Sequence, residues 1–466
     1  MTVPLPTGAR ANAYVEKLEA LGCAYPTLRV LGPQSSGDLR AAVNWNEQST
    51  ACNAPEWLLD ERTILLRPLP IAELRAEILG VPNDLVSLRG MAASLYPSFA
   101  TRENRWVGRG GVVATEITVG MQNNARSWGY AISATPGFTA VSDFGSSTFA
   151  RFYLQDFSLK LGMGFSELSF SRQLRRFGDT AHGALLYSAA AAPVDALEYS
   201  LRPVVGPGFL QYLGPVQFRT WVGGQSVTSG LQDTRLWGVE FALRPLRSLE
   251  LGFAEVFQFG GTPSAPGVGD FLAMPFLVGD AAKRAATVAL HLGWWVPGHW
   301  AKVYGQVLWD KLGEASASGP SFLGGVWLPR LGRADFRFEI VSTDVSAYTH
   351  PTWTQGLSYR GSTLGHPLGP DALGVYADIE APAIALWWRP QLRFALEHRA
   401  RSIAGPGRPE RRLGGAFELH RRWRFADFSL YVGYQNIQNA GYVSGQVDEA
   451  LAAGLRLRYS FLPSEG

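Results

Sequence analysis

Charge is what this sequence has least of. Charged residues make up 17% of the chain, against roughly 25% in soluble domains, and lysine is scarce while arginine dominates. A formal net charge of +3, without any basic run, gives no reason to expect nucleic acid as a partner. Long apolar runs are missing as well. The nearest, GALLYSAAAAPVDAL around Leu185, is broken by Ser188, Pro193 and Asp195, short of the roughly 18 apolar residues a transmembrane helix needs. The opening residues MTVPLPTGAR hold neither the basic segment nor the apolar stretch of a secretory signal. A surface protein requires one, so the expectation is that it has been removed.

Cysteine is almost absent. Cys23 and Cys52 would, in an oxidising compartment, close a loop of about 30 residues worth roughly 3–4 kcal/mol; in a cytosol they would stay thiols. Neither has a ligand-spaced neighbour and the seven histidines are scattered, so no metal site is expected. No Walker loop or dinucleotide fingerprint calls for a cofactor. The nearest approach to a hydrolase cluster is His182 with Ser188 and Asp179. No nucleophile elbow surrounds it, and no enzyme is expected.

What the chain does have is aromatics, at 12% with 15 Trp, and a period of two. In LAAGLRLRYSF, near the C-terminus, Leu451, Ala453, Leu455, Leu457, Tyr459 and Phe461 fall on one parity and Arg456, Arg458 and Ser460 on the other. That is a strand. The pattern recurs: Trp237, Val239, Phe241 and Leu243 around Glu240; Phe336, Phe338 and Ile340 around Arg337 and Glu339; Leu392, Phe394 and Leu396 around Arg393 and Glu397; Phe428, Leu430, Val432 and Tyr434 around Ser429 and Gln435. The polar parity mixes arginine with carboxylates. Arginine holds carboxylates in a rigid fork and suits partly buried networks, as in a polar lumen whose outer wall meets lipid.

The beginning of the chain reads differently. ARANAYVEKLEALG puts Tyr14, Leu18 and Leu21 at helical spacing and ends on Gly22, SSGDLRAAV offers Ser36 as N-cap, and PIAELRAEILG stops on Gly80. These predict short helices. The expected organisation is a helical unit over 1–98 and a barrel over 99–463. ALRPLRSLEL, WWVPGHWAK and LHRRWRFAD read as tight turns, while about 260–284 and 343–375 are long loops. Roughly 360 residues at about 20 per strand and connection predict some 18 antiparallel strands. Trp294, Trp295, Trp300, Trp387 and Trp388 sit near strand ends, where an interfacial girdle is expected.

Three stretches carry a resemblance. TRLWGVEFALRPLRSLELGFAEVFQFGG (234–261), SFSRQLRRFGDTAHGALLYSAAAAP (169–193) and YTHPTWTQGLSYRGSTLGHPLGPDA (348–372) are similar to segments of the capsule assembly Wzi family of outer-membrane proteins; the second departs from the pattern in having FGD where Trp-Gly-Pro is commoner. The resemblance implies an 18-stranded barrel, a periplasmic helical bundle at one end and a lectin-like role with capsular polysaccharide. Outer-membrane lipid is then a partner, and a monomer is expected. In the loop after Asp344, Tyr348, His350, Trp353, Tyr359, Arg360 and His366 are the candidate glycan contacts, since aromatics stack on sugar rings and arginine binds acidic sugars. Alternatively the loop folds into the barrel as a plug. A diffusion channel or porin is the competing function, and it has no use for a helical unit at its periplasmic end.

Overall fold

The computed structural model describes residues 31–32, 71–81, 110–124, 128–143, 148–163, 165–173, 175–188, 193–205, 212–224, 234–260, 284–296, 300–310, 319–331, 334–349, 357–359, 362–382, 388–402, 408–423 and 426–461. Eighteen strands follow one another antiparallel. They are β1 (Ile71–Val81), β2 (Gly110–Asn124), β3 (Trp128–Asp143), β4 (Thr148–Met163), β5 (Ser166–Gln173), β6 (Val194–Val205), β7 (Pro215–Gly224), β8 (Arg235–Leu246) and β9 (Leu249–Phe259). The second half comprises β10 (Arg284–Trp295), β11 (Lys302–Trp309), β12 (Ser321–Leu331), β13 (Ala334–Ser342), β14 (Ala372–Glu380), β15 (Arg389–Arg399), β16 (Glu410–Trp423), β17 (Ala426–Gln438) and β18 (Val447–Phe461). Each strand pairs with its neighbours in the chain, and the sheet closes on itself. The barrel read from the strand pattern, with its strand number, is borne out.

Closure is made by a segment assigned otherwise. Ile71–Val81, expected as the last helix of the N-terminal unit, is β1, paired with β2 on one side and β18 on the other. IAELRAEILGV satisfies both periods: Ile71, Leu74 and Ile78 lie at helical spacing, but Leu74, Ala76 and Ile78 also alternate with Glu73, Arg75 and Glu77. The sheet decides between them. Without this segment, β2 and β18 would each present a row of unpaired N–H and C=O groups, which hydrocarbon cannot solvate. Its acidic and basic positions fall in register with the C-terminal arginines, Glu77 opposite Arg456 and Arg75 opposite Arg458. The barrel therefore begins before residue 99. The other expected helices, at 9–22 and 35–43, and both cysteines, Cys23 and Cys52, lie outside the described residues.

The wall is inverted relative to a soluble protein. Along β8, Leu236, Gly238, Glu240, Ala242 and Arg244 are buried while Trp237, Val239, Phe241 and Leu243 are partly exposed. Elsewhere Phe394, Leu396, Leu413, Leu430, Val432 and Ile340 are exposed, whereas Glu240, Glu339 and Glu397 are fully enclosed. Apolar side chains facing outward and carboxylates facing inward suit a surrounding of lipid. Adjacent residues on a strand take opposite faces, which corrects one expectation about the girdle. Trp294 and Trp300 are exposed, but Trp295 is 1% exposed; it turns inward, 5.5 Å from Trp327 and 5.5 Å from the Lys302 ammonium. Trp388 is half-buried and Trp387 lies outside the described residues.

The two ends differ. At one, the connections are 125–127, 164–165, 206–214, 247–248, 296–301, 332–333, 381–388 and 424–425; at the other they include 82–109, 174–193, 260–283, 310–320 and 343–371. The first residue of β1 and the last of β18 lie at the short-turn end. Short turns at one end and long loops at the other is the asymmetry of outer-membrane barrels.

Candidate functional site

Two of the long connections fold inward and meet inside the barrel. The first is the stretch 175–188, RRFGDTAHGALLYS. Gly178 and Gly183 have positive φ, 86° and 142°, conformations that side chains resist. They also lie against the wall and the second loop: a Cβ on Gly183 would come within 2.6 Å of Pro367 Cδ. After these glycines Leu185, Leu186 and Tyr187 are buried in one apolar cluster with Leu357, Leu364, Leu368 and Trp221.

Polar side chains of the wall clip this stretch at its backbone. The Glu339 carboxylate accepts from Ala181 N at 2.6 Å and His182 N at 2.9 Å, and from the Tyr304 hydroxyl at 2.7 Å. Gln306 donates to Phe177 O at 2.6 Å and accepts from Leu185 N at 2.8 Å, so one amide holds two points of the loop. Lys302 Nζ lies 2.5 Å from Asp179 Oδ2. The His182 ring stacks on Tyr376 with centroids 4.7 Å apart, and its Nε2 is 3.2 Å from Asp378 Oδ2. Arg175 pairs with Glu198 at 2.5 Å and covers the ring of Trp221. A buried charge that lost such a partner would be costly, so wall and loop hold each other in place.

The second loop, 343–371, locks onto the first. Tyr348 has φ 63°; its N–H donates to Asp310 Oδ2 at 2.7 Å, and its hydroxyl donates to Leu185 O at 2.9 Å and accepts from His366 N at 3.2 Å. Ser188 N donates to Leu364 O at 2.9 Å, and Leu186 forms a bridge with Gly365. His366 is wholly buried, and Leu368 N donates to its Nδ1 at 3.2 Å, which places the proton of the neutral ring on Nε2. Burial pushes its pKa below the ordinary histidine value and that of the Tyr348 phenol above its own. Beside these loops a small cleft is lined by Val256, Gln258, Ala285, Thr287, Asp310, Thr349 and Leu357. In it Thr287 donates to Asp310 Oδ1 at 2.6 Å.

Of the six residues singled out as glycan contacts, the structure thus brings two together, Tyr348 and His366, and puts both inside, where they tie the loops to one another. Tyr359 lies on a two-residue strand, Ser358–Tyr359, paired with Ser362–Thr363. His350, Trp353 and Arg360 lie outside the described residues. The group His182, Ser188 and Asp179 is divided among separate anchors, Asp378, Leu364 and Lys302 respectively. The whole plugging stretch 175–188 was missed as such by sequence reasoning. Its available signal was a break of 20 residues, 174–193, between two strands, holding two glycines around a charged core.

The fold has known counterparts. It is similar to Wzi, an outer membrane protein involved in group 1 capsule assembly in Escherichia coli and described there as a carbohydrate-binding β-barrel, with a TM-score of 0.74 and 16% identity over 98% of each chain. More distant likeness links it to two Pseudomonas aeruginosa proteins. OccK5 (OpdH) gives a TM-score of 0.50 and 9% identity over 84% of this chain and 97% of that one; OpdQ gives 0.50 and 8% over 84% and 98%. Among curated proteins none matches by sequence. The family model described as capsule assembly protein Wzi matches residues 83–450, a span that takes in both inward loops and every strand from β2 to β17, and the chain belongs to that family.

Proposed function

We propose that this protein is a non-enzymatic outer-membrane barrel that binds capsular or other exported polysaccharide at the cell surface and takes part in capsule assembly. The observation that carries this reading is the clamp of the lumen: 175–188 is held by Glu339, Gln306 and Lys302 and overlaid by 343–371. A channel needs a water path, and here the wall's polar groups are bonded to a loop. A surface that holds a polymer needs rigid loops at the outer end, and that is what Tyr348 and His366 secure. Family membership and the outward apolar wall support the same reading.

Within it, Tyr348 and His366 anchor the base of the loop, and glycan contact falls to His350, Trp353, Tyr359 and Arg360, which lie between them in sequence. β1 begins at the short-turn end, which this reading places in the periplasm, and there Cys23 and Cys52, earlier in the sequence, would be oxidised to a disulfide. Cells lacking the protein should shed polysaccharide into the medium. Complementation with W353A/Y359A should leave the barrel folded, by its heat-modifiable gel shift, and fail to restore surface retention. Full restoration would remove these residues from the site. Steady large conductance of the intact protein in a planar bilayer would favour a channel instead.

A further inference from the structure

We infer that the outer wall at the long-loop end carries a second binding site, for the phosphate of a membrane lipid headgroup, formed by Arg411 and Arg401 with His398 beside them. On the lipid-facing side of β15 and β16 the registered pairs run Leu392 with Phe417, Phe394 with Gly415, Leu396 with Leu413, and then His398 with Arg411. Leu396 and Leu413 are 52% and 63% exposed. The apolar belt therefore ends and a cationic edge begins within one pair, about 7 Å along the strand. That is where hydrocarbon gives way to headgroups.

The arginines at this edge contrast with their inward neighbours. Arg412, facing the lumen, bonds Glu410 at 2.6 Å, and Arg399 bonds Glu397 at 2.6 Å. Arg411, facing out and exposed, has no hydrogen bond or ion pair among the described residues. Its registered neighbour on β17 is Gln438, and that of His398 on β14 is Leu373, so neither flank supplies a carboxylate. Arg401, just past β15, is exposed and donates to Thr343 O at 3.0 Å and Ser342 Oγ at 3.4 Å, which leans it across the end of β14. The nearby carboxylate, Asp371, is already bonded by Ser402 through its N at 2.8 Å and its Oγ at 2.6 Å. His398 Nε2 is buried without a hydrogen-bond partner. An outward guanidinium at Arg411 with no acceptor among the described residues, and an exposed one at Arg401 beside it on the same edge of an apolar belt, match phosphate oxygens held at membrane depth. A soluble polymer over the lumen would not reach the outer wall beside Leu396 and Leu413, so the occupant is a lipid.

The full chain, folded in detergent, would be mixed with bisphosphorylated lipid A or its dephosphorylated form, and lipid retained per protein measured after gel filtration. Retention of the phosphorylated form should fall about fivefold for each arginine removed in R401Q/R411Q, and fall with added salt. R247Q, at the short-turn end, should match the native chain. Equal retention by R401Q/R411Q, or equal retention of the two lipids, would overturn the inference. So would loss of binding to a soluble polyglucuronate in the variant with lipid retention unchanged, which would hand the arginines to carbohydrate. If the double variant fails its heat-modifiable shift, Arg411→Lys should retain the lipid and Arg411→Gln should retain about fivefold less; equal behaviour would again refute the site.

Discussion

The wall of the lumen solves one problem in two ways. From β10 to β14 the inward polar side chains reach a loop: Lys302 to Asp179, Gln306 to Phe177 and Leu185, Glu339 to Ala181 and His182. From β15 to β18 they reach each other: Arg393 to Glu418 at 3.1 Å, Arg456 to the same carboxylate at 3.9 Å, Arg399 to Glu397, Arg412 to Glu410. Tyr376 stands at the boundary, stacking on His182 of the loop and donating to Glu397 of the next strand at 3.1 Å. In the second region the pairs complete themselves within the sheet. In the first, the wall's polar groups are satisfied by the loop, so the seating of 175–188 inside the barrel follows from satisfying buried polar groups.

This contrast can be broken most forcefully at Glu339. Glu339→Ala removes three charge-assisted hydrogen bonds, two of them to backbone N–H groups of the loop, at about 1.5–3 kcal/mol each. The expected outcome is release of 175–188 and the appearance of current steps in planar bilayers, with none expected from the native protein; a silent variant would mean the loop is held without this clamp. Lys302→Met comes next. It takes from the buried Asp179 its ion pair with Lys302, at about 3–5 kcal/mol, and should lower the temperature of the heat-modifiable shift. Adding Asp179→Leu should recover most of that loss, because both charges are then gone.

Tyr348→Phe sharpens the comparison at loop level. Loss of the hydroxyl that joins Leu185 O to His366 N should cost about 1–2 kcal/mol and raise protease cleavage within 343–371 in the folded barrel, without opening a conducting path. Glu418→Gln, in the self-paired region, should be mildest, at about 1 kcal/mol. Arg393 keeps its bond to Gln391 and the loop clamps are untouched, so neither current nor loop cleavage should change. A conductance change in Glu418→Gln as large as in Glu339→Ala would erase the distinction between the two regions.

The strands were legible because lipid outside and polar groups inside impose a period of two on every one of them, from Trp237 and Glu240 to Leu396 and Glu397. The mixture of arginine and carboxylate on the inner parity announced a lumen that pairs its charges. Which charges pair was not legible. Arg337 and Glu339 are neighbours in sequence, yet Arg337 covers the ring of Trp327 at 5.0 Å and Glu339 holds a loop some 157 residues away. The candidate loop at 343–371 was found from its aromatics, but aromatic residues pack inward as readily as they face a ligand, and only the positions of Leu185 and His366 show that Tyr348 does the former.

By itself the sequence determined the barrel, its strand number, its polar interior and its family, since each rests on local alternation or on stretches of chain that read independently of one another. Tertiary structure alone decided three things. Ile71–Val81 became a strand because β2 and β18 each had an edge to satisfy. The stretch 175–188 became a plug because inward-facing side chains on β11 and β13, Lys302, Gln306 and Glu339, bond its side chains and backbone. Arg411 was left facing out and Arg412 facing in because the pleat gives consecutive residues opposite surroundings, and a string of letters does not say which of two arginines will find its carboxylate.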